Sequence, residues 1–335
     1  MHDNHSMVTE LEIQEVAPGI HELRLPIPFE DGRVNVFLLP DGAEVDLIDC
    51  GMNSPESLAM IGEAVKRVAG PSGRLRRLIV THIHPDHYGA AGDLVSQGTE
   101  LFLHRLEVPM VHPRYLELEQ LIDEVGHYLL ANGVPEAEAE LMSNSSRALG
   151  AYVTAAPDAV ELDGAETIRM GERELRVVWT PGHSPGHVCL FDPEARILFG
   201  GDQLLPDASP NIGLHPQSTP NPLDDFLESL AHLARLEPRL VLPSHGRPFA
   251  GAQGRVDALV AHHARQKDRI LALTEGRDHS GWEVALARWG ERQYVYEKRL
   301  ALQEALAHLQ SLAVAGVLVK TITRQSVTWR AAQPA

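Results

Sequence analysis

The sequence predicts an α/β protein with a helical insertion and a small C-terminal winged-helix-like domain. Three observations lead to this prediction. Short segments rich in Val, Ile and Leu alternate with amphipathic segments over most of residues 1–254. This alternation is interrupted between about residues 106 and 157. From residue 255 the pattern changes to long helical segments that end in two short strands. We therefore expect one large unit over 1–254 and a smaller one over 255–335.

The N-terminal part reads as strands followed by helices. Three short apolar segments, separated by Pro and Gly, are predicted strands: IHELRLPI, VNVFLLP and EVDLIDCG. An amphipathic helix is expected at 55–69. A strand at 77–81, a helix at 89–95 and a buried strand at 101–105 follow it.

Residues 106–157 have helical spacing instead of strand alternation. Apolar residues recur from Leu116 to Leu129, and a second helix is expected at 136–149. We interpret this segment as an insertion that covers the strand ends, that is, as a lid. Strand pattern returns in four segments: ETIRMG, ELRVVW, VCLFDP and RILFGGD. A Pro-rich loop at 204–222, a helix at 222–234 and the strand RLVLP complete the unit.

The C-terminal segment contains three predicted helices and a hairpin. The helices are expected at 256–274, 281–289 and 297–315, and GVLVKTITRQSVTWRA reads as two strands around a polar turn. Three helices followed by a hairpin are typical of a winged-helix-like domain. Dimerisation and nucleic-acid binding are both open as roles for this segment.

Composition narrows the class of protein. Hydrophobic residues make up 44% and charged residues 22%, which is ordinary for a globular chain. No apolar run approaches the roughly 20 residues of a membrane span. The N-terminus, MHDNHSMVTELEI, has neither the basic nor the apolar region of a signal peptide. Cys50 and Cys189 lie in apolar segments, which favours reduced thiols over a disulfide. These features predict a cytoplasmic location.

Charge is distributed unevenly along the chain. The formal net charge is −17. The segment from residue 255 onward has 12 Lys/Arg and 8 Asp/Glu, so the preceding part carries a net charge of −21. An acidic body argues against non-specific binding to a phosphate backbone by the whole chain. A small-molecule substrate is therefore favoured over a nucleic acid.

The segment Thr81-His82-Ile83-His84-Pro85-Asp86-His87 is the strongest chemical signal in the sequence. Imidazole and carboxylate are the usual ligands of Zn, Fe and Mn. Residues two apart on an extended segment share a face, so His82 and His84 are expected to hold one ion. Asp86 and His87 follow Pro85, where the chain must turn, and are expected to serve a second ion.

Three further candidate ligands each follow a predicted strand. They are His183 in WTPGH, Asp202 in LFGGD and His245 in LPSHG. Loops at the strand ends of an α/β sheet converge, which is where such sites form. We predict that one ion is held by His82, His84 and His183. The other is predicted at Asp86, His87 and His245, with Asp202 bridging both.

These motifs, in this order, resemble those of the metallo-β-lactamase superfamily. The resemblance covers about residues 15–250 and implies an αββα sandwich: two facing mixed sheets with helices outside and the metals at one edge. LIDCG also matches, which makes Asp49 a supporting residue. The C-terminal segment resembles the lactamase-associated winged-helix domain of a group that includes thioesterases and a ribonuclease.

The resemblance also indicates a branch of the superfamily. The bridging position is Asp202 rather than the cysteine of many true β-lactamases, and the HxHxDH motif carries the additional aspartate. Both features resemble the hydrolase branch that contains glyoxalase II, lactonases, thioesterases and nucleases. The basic glutathione-binding motifs of the glyoxalase II tail are not found here.

The expected activity is metal-dependent hydrolysis. We expect two divalent ions, Zn first with Fe or Mn as alternatives, and a metal-bridging hydroxide that attacks a thioester, ester or lactone of a small organic substrate. Asp86 and Asp202 are the predicted catalytic carboxylates, and His187 is a candidate for supporting a ligand from behind. A nuclease and an iron-dependent sulfur dioxygenase are the alternatives, and a homodimer stays open.

Overall fold

The computed structural model describes residues 11–28, 32–156 and 158–332. The absence of a signal peptide was predicted from residues that lie mostly outside these ranges. Pro157, the predicted last residue of the insertion, also lies outside them. Within the described ranges, no helix is both long enough and apolar enough to cross a bilayer.

Seven strands form the first sheet, and their spatial order follows the sequence. The first four strands are antiparallel, and the fourth to seventh are parallel. The strands are β1 (Ile13–Ala17), β2 (Ile20–Pro26), β3 (Arg33–Asp41), β4 (Glu44–Ile48), β5 (Arg74–Ile79), β6 (Glu100–His104) and β7 (Val160–Leu162). Because β4, β5 and β6 are parallel, the loops that follow them meet at one edge of the sheet.

Five strands form the second sheet, in the order β12-β11-β10-β9-β8. Their bounds are β8 (Thr167–Met170), β9 (Arg173–Trp179), β10 (Val188–Asp192), β11 (Ile197–Gly201) and β12 (Leu240–Pro243). β10 is antiparallel to both β9 and β11, and β11 is parallel to β12. The carboxyl ends of β9, β11 and β12 therefore lie at the same edge.

The two sheets pack face to face. Successive side chains of a strand point to opposite faces, and β3 shows the result. Val36 and Leu38 belong to the cluster outside the first sheet, while Phe37 and Leu39 belong to the cluster between the sheets. The ring of Phe37 lies edge to face against that of Phe199 in β11, with centroids 5.3 Å apart.

Helices cover both outer faces. α1 (Pro55–Ala69) packs Met60 and Ile61 against the first sheet, and α7 (Pro222–Arg235) packs Phe226 and Leu230 against the second. The predicted αββα sandwich is therefore confirmed. The helix predicted at 89–95 is instead two short helices, α2 (Pro85–Tyr88) and α3 (Ala91–Ser96). Proline at the first position of α2 starts the helix earlier than predicted.

The segment between β6 and β7 is helical, as predicted. It consists of α4 (Val108–Val111), a π-helix (His112–Leu116), α5 (Leu118–Ala131) and α6 (Glu136–Gly150). The π-helix was not predicted. Such short π segments are rare and occur frequently at functional sites.

The C-terminal segment contains α8 (Ala252–Leu273), β13 (His279–Ser280), α9 (Gly281–Trp289), α10 (Val295–Val314), β14 (Leu318–Ile322) and β15 (Val327–Ala331). The last three strands form a sheet in the order β13-β15-β14. α9 begins at a capping box between Ser280 and Glu283, which explains why its bounds match the predicted ones. The winged-helix-like assignment remains a prediction.

The insertion and the C-terminal segment share one hydrophobic cluster. Leu121, Leu129 and Met142 of the insertion pack with apolar residues of the C-terminal segment, among them Leu306 and Trp329. The insertion thus contacts both the sandwich and α10. This arrangement places the N-terminal half of α10 beside the sheet edge where the loops converge.

Candidate metal centre

The loop after β5 positions the HxHxDH residues. His84 is the residue before α2, and Pro85 occupies the first helical position. The N–H of Tyr88 donates to the carbonyl of His84 at 2.9 Å, so the chain turns immediately after His84. This turn separates the extended pair His82 and His84 from Asp86 and His87, as the sequence predicted.

The first predicted ligand set converges on a point. His84 Nδ1 lies 2.9 Å from both His82 Nε2 and His183 Nε2, and the latter two atoms are 3.2 Å apart. Nitrogens at about 2.0–2.1 Å from one zinc ion in a tetrahedral site are separated by about 3.4 Å. Burial lowers the pKa of all three imidazoles, which keeps them in the neutral form that binds metals.

The second predicted set also comes together. Asp86 Oδ2 lies 3.2 Å from His245 Nε2 and 3.5 Å from His87 Nε2. These three residues form a candidate metal-binding group with ligand atoms within 4.8 Å of one another. The ring of His245 is held from behind, since its Nδ1 lies 3.0 Å from the carbonyl of Arg33 at the start of β3.

Asp202 lies between the two sets. Its Oδ1 is 3.5 Å from His87 Nε2 and 3.4 Å from His245 Nε2, while its Oδ2 is 3.5 Å from His183 Nε2. The bridging position predicted from sequence therefore matches the geometry. Gly201 precedes it with φ of +51°, and a Cβ there would lie 2.5 Å from His187 Nε2, so glycine is needed at this point.

Buried atoms of the centre support the presence of a cation. His87 Nε2 and Asp202 Oδ1 are buried and have no hydrogen-bond partner among the described residues. Native proteins rarely leave such atoms unsatisfied, and a bound ion is one of the recognised explanations. Because both atoms point at the space shared by the ligand sets, the residues present fit two divalent metal ions.

The carboxylates of Asp86 and Asp202 lie close to the imidazole of His245, and each group shifts the pKa of the other. Burial alone would lower the pKa of His245, but Asp202 and Asp86 raise it to about 9. Burial would raise the pKa of Asp202, yet His245 and His87 hold it well below its usual range. Both carboxylates are thus ionised at neutral pH, the form in which they bind a cation.

Asp49, which the family resemblance implies as a supporting residue, contacts His87 of the second set. Its Oδ2 lies 2.8 Å from His87 Nδ1, and its Oδ1 accepts a hydrogen bond from the N–H of Thr81 at 2.7 Å. Asp49 has φ of +58°, a left-handed conformation that is uncommon outside glycine. This backbone aims the carboxylate at the ring nitrogen of His87 that faces away from the metal position.

We expect Asp49→Asn to weaken metal binding at the second set by about 10- to 100-fold, because partners that orient ligating imidazoles contribute to that extent. Titration of the metal-free variant with Zn²⁺, followed by calorimetry, would measure the change. Asp123→Asn, at an exposed position of α5, is the matched control and should bind as the unaltered chain does. Unchanged affinity in Asp49→Asn would contradict this role.

His187 supports the bridge rather than a histidine ligand. Its Nδ1 lies 2.9 Å from the hydroxyl of Thr180, and its Nε2 accepts a hydrogen bond from the N–H of Asp202 at 3.1 Å. The ring is fully buried, and burial holds its pKa well below the usual value. We predicted that His187 would support a metal ligand from behind, and the candidate ligand that it contacts is Asp202, through the backbone N–H.

Glu107 is a site residue that the sequence analysis missed. It follows β6 and is fully buried. Its Oε2 accepts a hydrogen bond from the N–H of Ile83 at 2.9 Å, and its Oε1 accepts from the hydroxyl of Ser184 at 2.9 Å and the N–H of Gly186 at 2.6 Å. One carboxylate thus joins the loop of His82 and His84 to the loop of His183. A carboxylate at the end of a parallel strand was the available signal.

The loop at 204–222 approaches the centre from the other side. The backbone carbonyl of Asn211 lies 3.0 Å from His183 Nδ1, so it fixes the orientation of that ring. Asn211 Nδ2 donates to the carbonyl of Leu300 in α10 at 3.3 Å. A metal-ligand candidate is therefore connected to the C-terminal segment through one asparagine.

Two cysteines and one pair of histidines are buried outside the candidate ligand sets. Cys50 and Cys189 are buried free thiols, and burial raises the pKa of both. His263 and His308 pair with each other at 3.2 Å between α8 and α10. None of these four residues belongs to a candidate metal-binding group found among the described residues.

A family model and several relatives resemble this chain. The model described as the metallo-beta-lactamase superfamily matches residues 30–245. A probable metallo-hydrolase from Bacillus subtilis is 26% identical over 301 residues, which cover 87% of this chain and 91% of that protein. An acyl-coenzyme A thioesterase from Bos taurus is 29% identical over 235 residues, which cover 66% of this chain and 76% of that protein.

Similarity to a solved structure covers more of the chain than the family model does. The crystal structure of a metallo-beta-lactamase family protein from Thermus thermophilus superposes with a TM-score of 0.83 at 29% identity. The superposition covers 95% of this chain and all of that chain. The match therefore extends beyond the sandwich into the C-terminal segment.

Proposed function

The chain belongs to the metallo-beta-lactamase superfamily, and from this premise we propose that it is a dinuclear hydrolase that cleaves a thioester, ester or lactone bond of a small organic substrate. The observation that carries the proposal is the pair of ligand sets joined by Asp202. The similarity to an acyl-coenzyme A thioesterase supports an acyl bond. The net charge of −17 favours a small molecule over a polynucleotide.

The donor set suits zinc, with iron and manganese as alternatives. When bound, two such cations lower the pKa of a water molecule to about 7 and polarise the reacting carbonyl. The first set supplies three neutral imidazoles from a buried environment. The second set and Asp202 add two carboxylates, which offset part of the cationic charge.

Asp86 is the more exposed of the two carboxylates of the centre. Its side chain is 21% exposed, against 12% for that of Asp202. Asp86 Oδ2 faces His245, while Asp202 uses one oxygen for each ligand set. We propose that Asp86 takes a proton from the attacking water and that Asp202 fixes the spacing between the two sets.

The experiment that tests this function combines metal analysis with a substrate panel. Purified protein is assayed for Zn, Fe and Mn per chain, then offered a thioester, a lactone, an aryl ester, a phosphodiester, a β-lactam and single-stranded RNA. We expect about two metal ions per chain and hydrolysis of an acyl substrate. A single iron with oxygen uptake, or cleavage of RNA alone, would refute the proposal.

Removal of the metal should abolish hydrolysis and lower the midpoint of thermal unfolding. A ligand that binds only the folded state at about 1,000 times its Kd stabilises that state by about 4 kcal/mol. Dialysis against a chelator, with differential scanning fluorimetry before and after addition of Zn²⁺, measures both the loss and its reversal. A metal-free protein with full turnover would be incompatible with the proposal.

A further inference from the structure

Two arginines from distant parts of the chain each stand next to a residue that contacts a loop of the metal centre. The first is Arg114 in the π-helix. Its Nε donates to the side-chain oxygen of Gln217 in the loop at 204–222, at 3.1 Å. The next residue, Tyr115, donates from its hydroxyl to the carbonyl of Ile83 at 2.5 Å, between two of the candidate ligands. The π-helix thus packs directly on the histidine loop.

The second is Arg299 in α10. One terminal nitrogen of its guanidinium donates to the hydroxyl of Ser146 in α6 at 2.7 Å. The following residue, Leu300, accepts the hydrogen bond from Asn211, whose own carbonyl orients His183. Arg299 is therefore adjacent in sequence to the residue that links α10, through Asn211, to His183 of the first ligand set.

Neither guanidinium forms an ion pair with a carboxylate of the described residues. Among the described residues, the ion pairs within 4.0 Å include neither Arg114 nor Arg299. Arg299 Nε is buried and has no hydrogen-bond partner in the same ranges. Burial lowers the pKa of Arg299, and the charge of Arg114 acts in the same direction. The chain has 46 acidic against 29 basic residues, so the absence of a partner does not reflect a shortage of carboxylates.

Tyr296 precedes Arg299 by three residues in α10, so the two side chains share a face of that helix. Burial raises the pKa of the Tyr296 hydroxyl, and the charges of Arg299 and Arg114 oppose this shift. The side chain as a whole is 45% exposed, so one part of it faces solvent. The part of α10 that carries Tyr296 and Arg299 is therefore open to solvent, next to the point where Leu300 contacts Asn211.

An unpaired and partly buried cation is costly unless a counter-charge arrives. Arginine is the residue best suited to carboxylate and phosphate groups, because its planar group offers paired donors. We infer that Arg114 and Arg299 form a subsite for an anionic group of the substrate, a carboxylate or a phosphate, while the bond to be cleaved lies at the metal centre. This inference rests on the proposed function and adds a substrate class: an anionic thioester or ester.

The test compares three thioesters that share the reacting bond. Butyryl-N-acetylcysteamine is neutral, succinyl-N-acetylcysteamine has a carboxylate on the acyl side, and butyryl-coenzyme A has phosphates on the leaving group. The variants are Arg299→Gln and Arg114→Gln. The control is Arg74→Gln, at a surface position whose side chain is 74% exposed. Circular dichroism and the unfolding midpoint identify any variant that fails to fold, and the two variants test the subsite independently.

We expect either variant to lower kcat/KM for an anionic thioester by roughly 10- to 100-fold, the range for hydrogen bonds to charged groups. The neutral thioester should change by less than about 3-fold, and Arg299→Lys should restore part of the loss. A loss confined to the succinyl substrate places the anion on the acyl side, and a loss confined to the coenzyme A substrate places it on the leaving group. Equal losses for all three substrates, or none, would overturn the inference.

A binding measurement separates this inference from the proposed function. If the unaltered protein hydrolyses no thioester, the proposed function fails, and the subsite is tested by calorimetric titration with succinate and with inorganic phosphate. Weaker binding in both arginine variants, by about 10-fold, with unchanged binding in Arg74→Gln, supports the subsite. Equal binding in all variants refutes it.

Discussion

Asp202→Asn is expected to reduce hydrolysis by about 10³-fold or more, which corresponds to about 4 kcal/mol of transition-state stabilisation. Asp202 is the side chain that places one oxygen near each ligand set. Asparagine keeps the shape but replaces one oxygen with an NH₂ group that cannot bind a metal. It also removes the negative charge that acts most strongly on His245. The metal content per chain should fall from about two toward one.

Asp207→Asn is the matched control, since Asp207 lies five residues further along the same loop and is exposed. Its kcat/KM and metal content should equal those of the unaltered chain. The measurement is metal analysis of each purified variant, followed by steady-state kinetics with the best substrate of the panel. Full activity with two metal ions in Asp202→Asn would show that the bridge is not needed.

Glu107→Ala should have the second largest effect, mainly on stability. The change leaves the N–H groups of Ile83 and Gly186 and the hydroxyl of Ser184 without their acceptor in a buried position. Each unsatisfied buried donor costs about 1–3 kcal/mol, so we expect a loss of about 3–5 kcal/mol and a fall in Tm of roughly 5–10 °C. The two loops of the first ligand set would also lose their common anchor, which should weaken metal binding.

Glu107→Gln and Glu124→Ala complete this experiment. Glutamine retains one acceptor oxygen, so its loss of stability should be intermediate. Glu124 lies on an exposed face of α5 in the same insertion, and its replacement should leave the unfolding midpoint unchanged. Thermal unfolding of the metal-free proteins separates the structural effect from the effect of the metal. Equal midpoints for Glu107→Ala and Glu124→Ala would contradict the role assigned to Glu107.

Elements with local signals were predicted well from the sequence. The predicted bounds of α1 and α9 match the structure, and each helix begins at a serine whose side chain accepts a backbone hydrogen bond. Strands with continuous apolar runs, such as β3 and β10, were also found. The short strands β1, β7 and β13 were missed, because their residues are largely exposed or few and only pairing with a neighbour defines them.

The residues of the candidate site also differ in how well the sequence predicts them. The seven predicted ligand residues carry their own signal, since histidine and aspartate stand directly after strands, and the structure brings them together. Their roles as ligands remain predictions. Glu107 has a weaker signal, since it stands three residues after β6 rather than directly after the strand, and Arg299 has none. What distinguishes both residues is which loop or helix they contact in the folded chain. His187 shows a third case: the residue was found, but its partner, the backbone of Asp202, could be identified only from coordinates.

The cluster shared by the insertion and the C-terminal segment has an evolutionary consequence. Ala139 and Met142 of α6 are buried in this cluster, and α6 packs against α10. A gene that lost its 3′ end would expose this apolar face, which a soluble product tolerates poorly. Insertion and terminal helices are therefore expected to be inherited as a pair. In descendants of this chain, substitutions on the facing surfaces of α6 and α10 should arise as compensating changes, and a truncated descendant should also have lost or rebuilt its insertion.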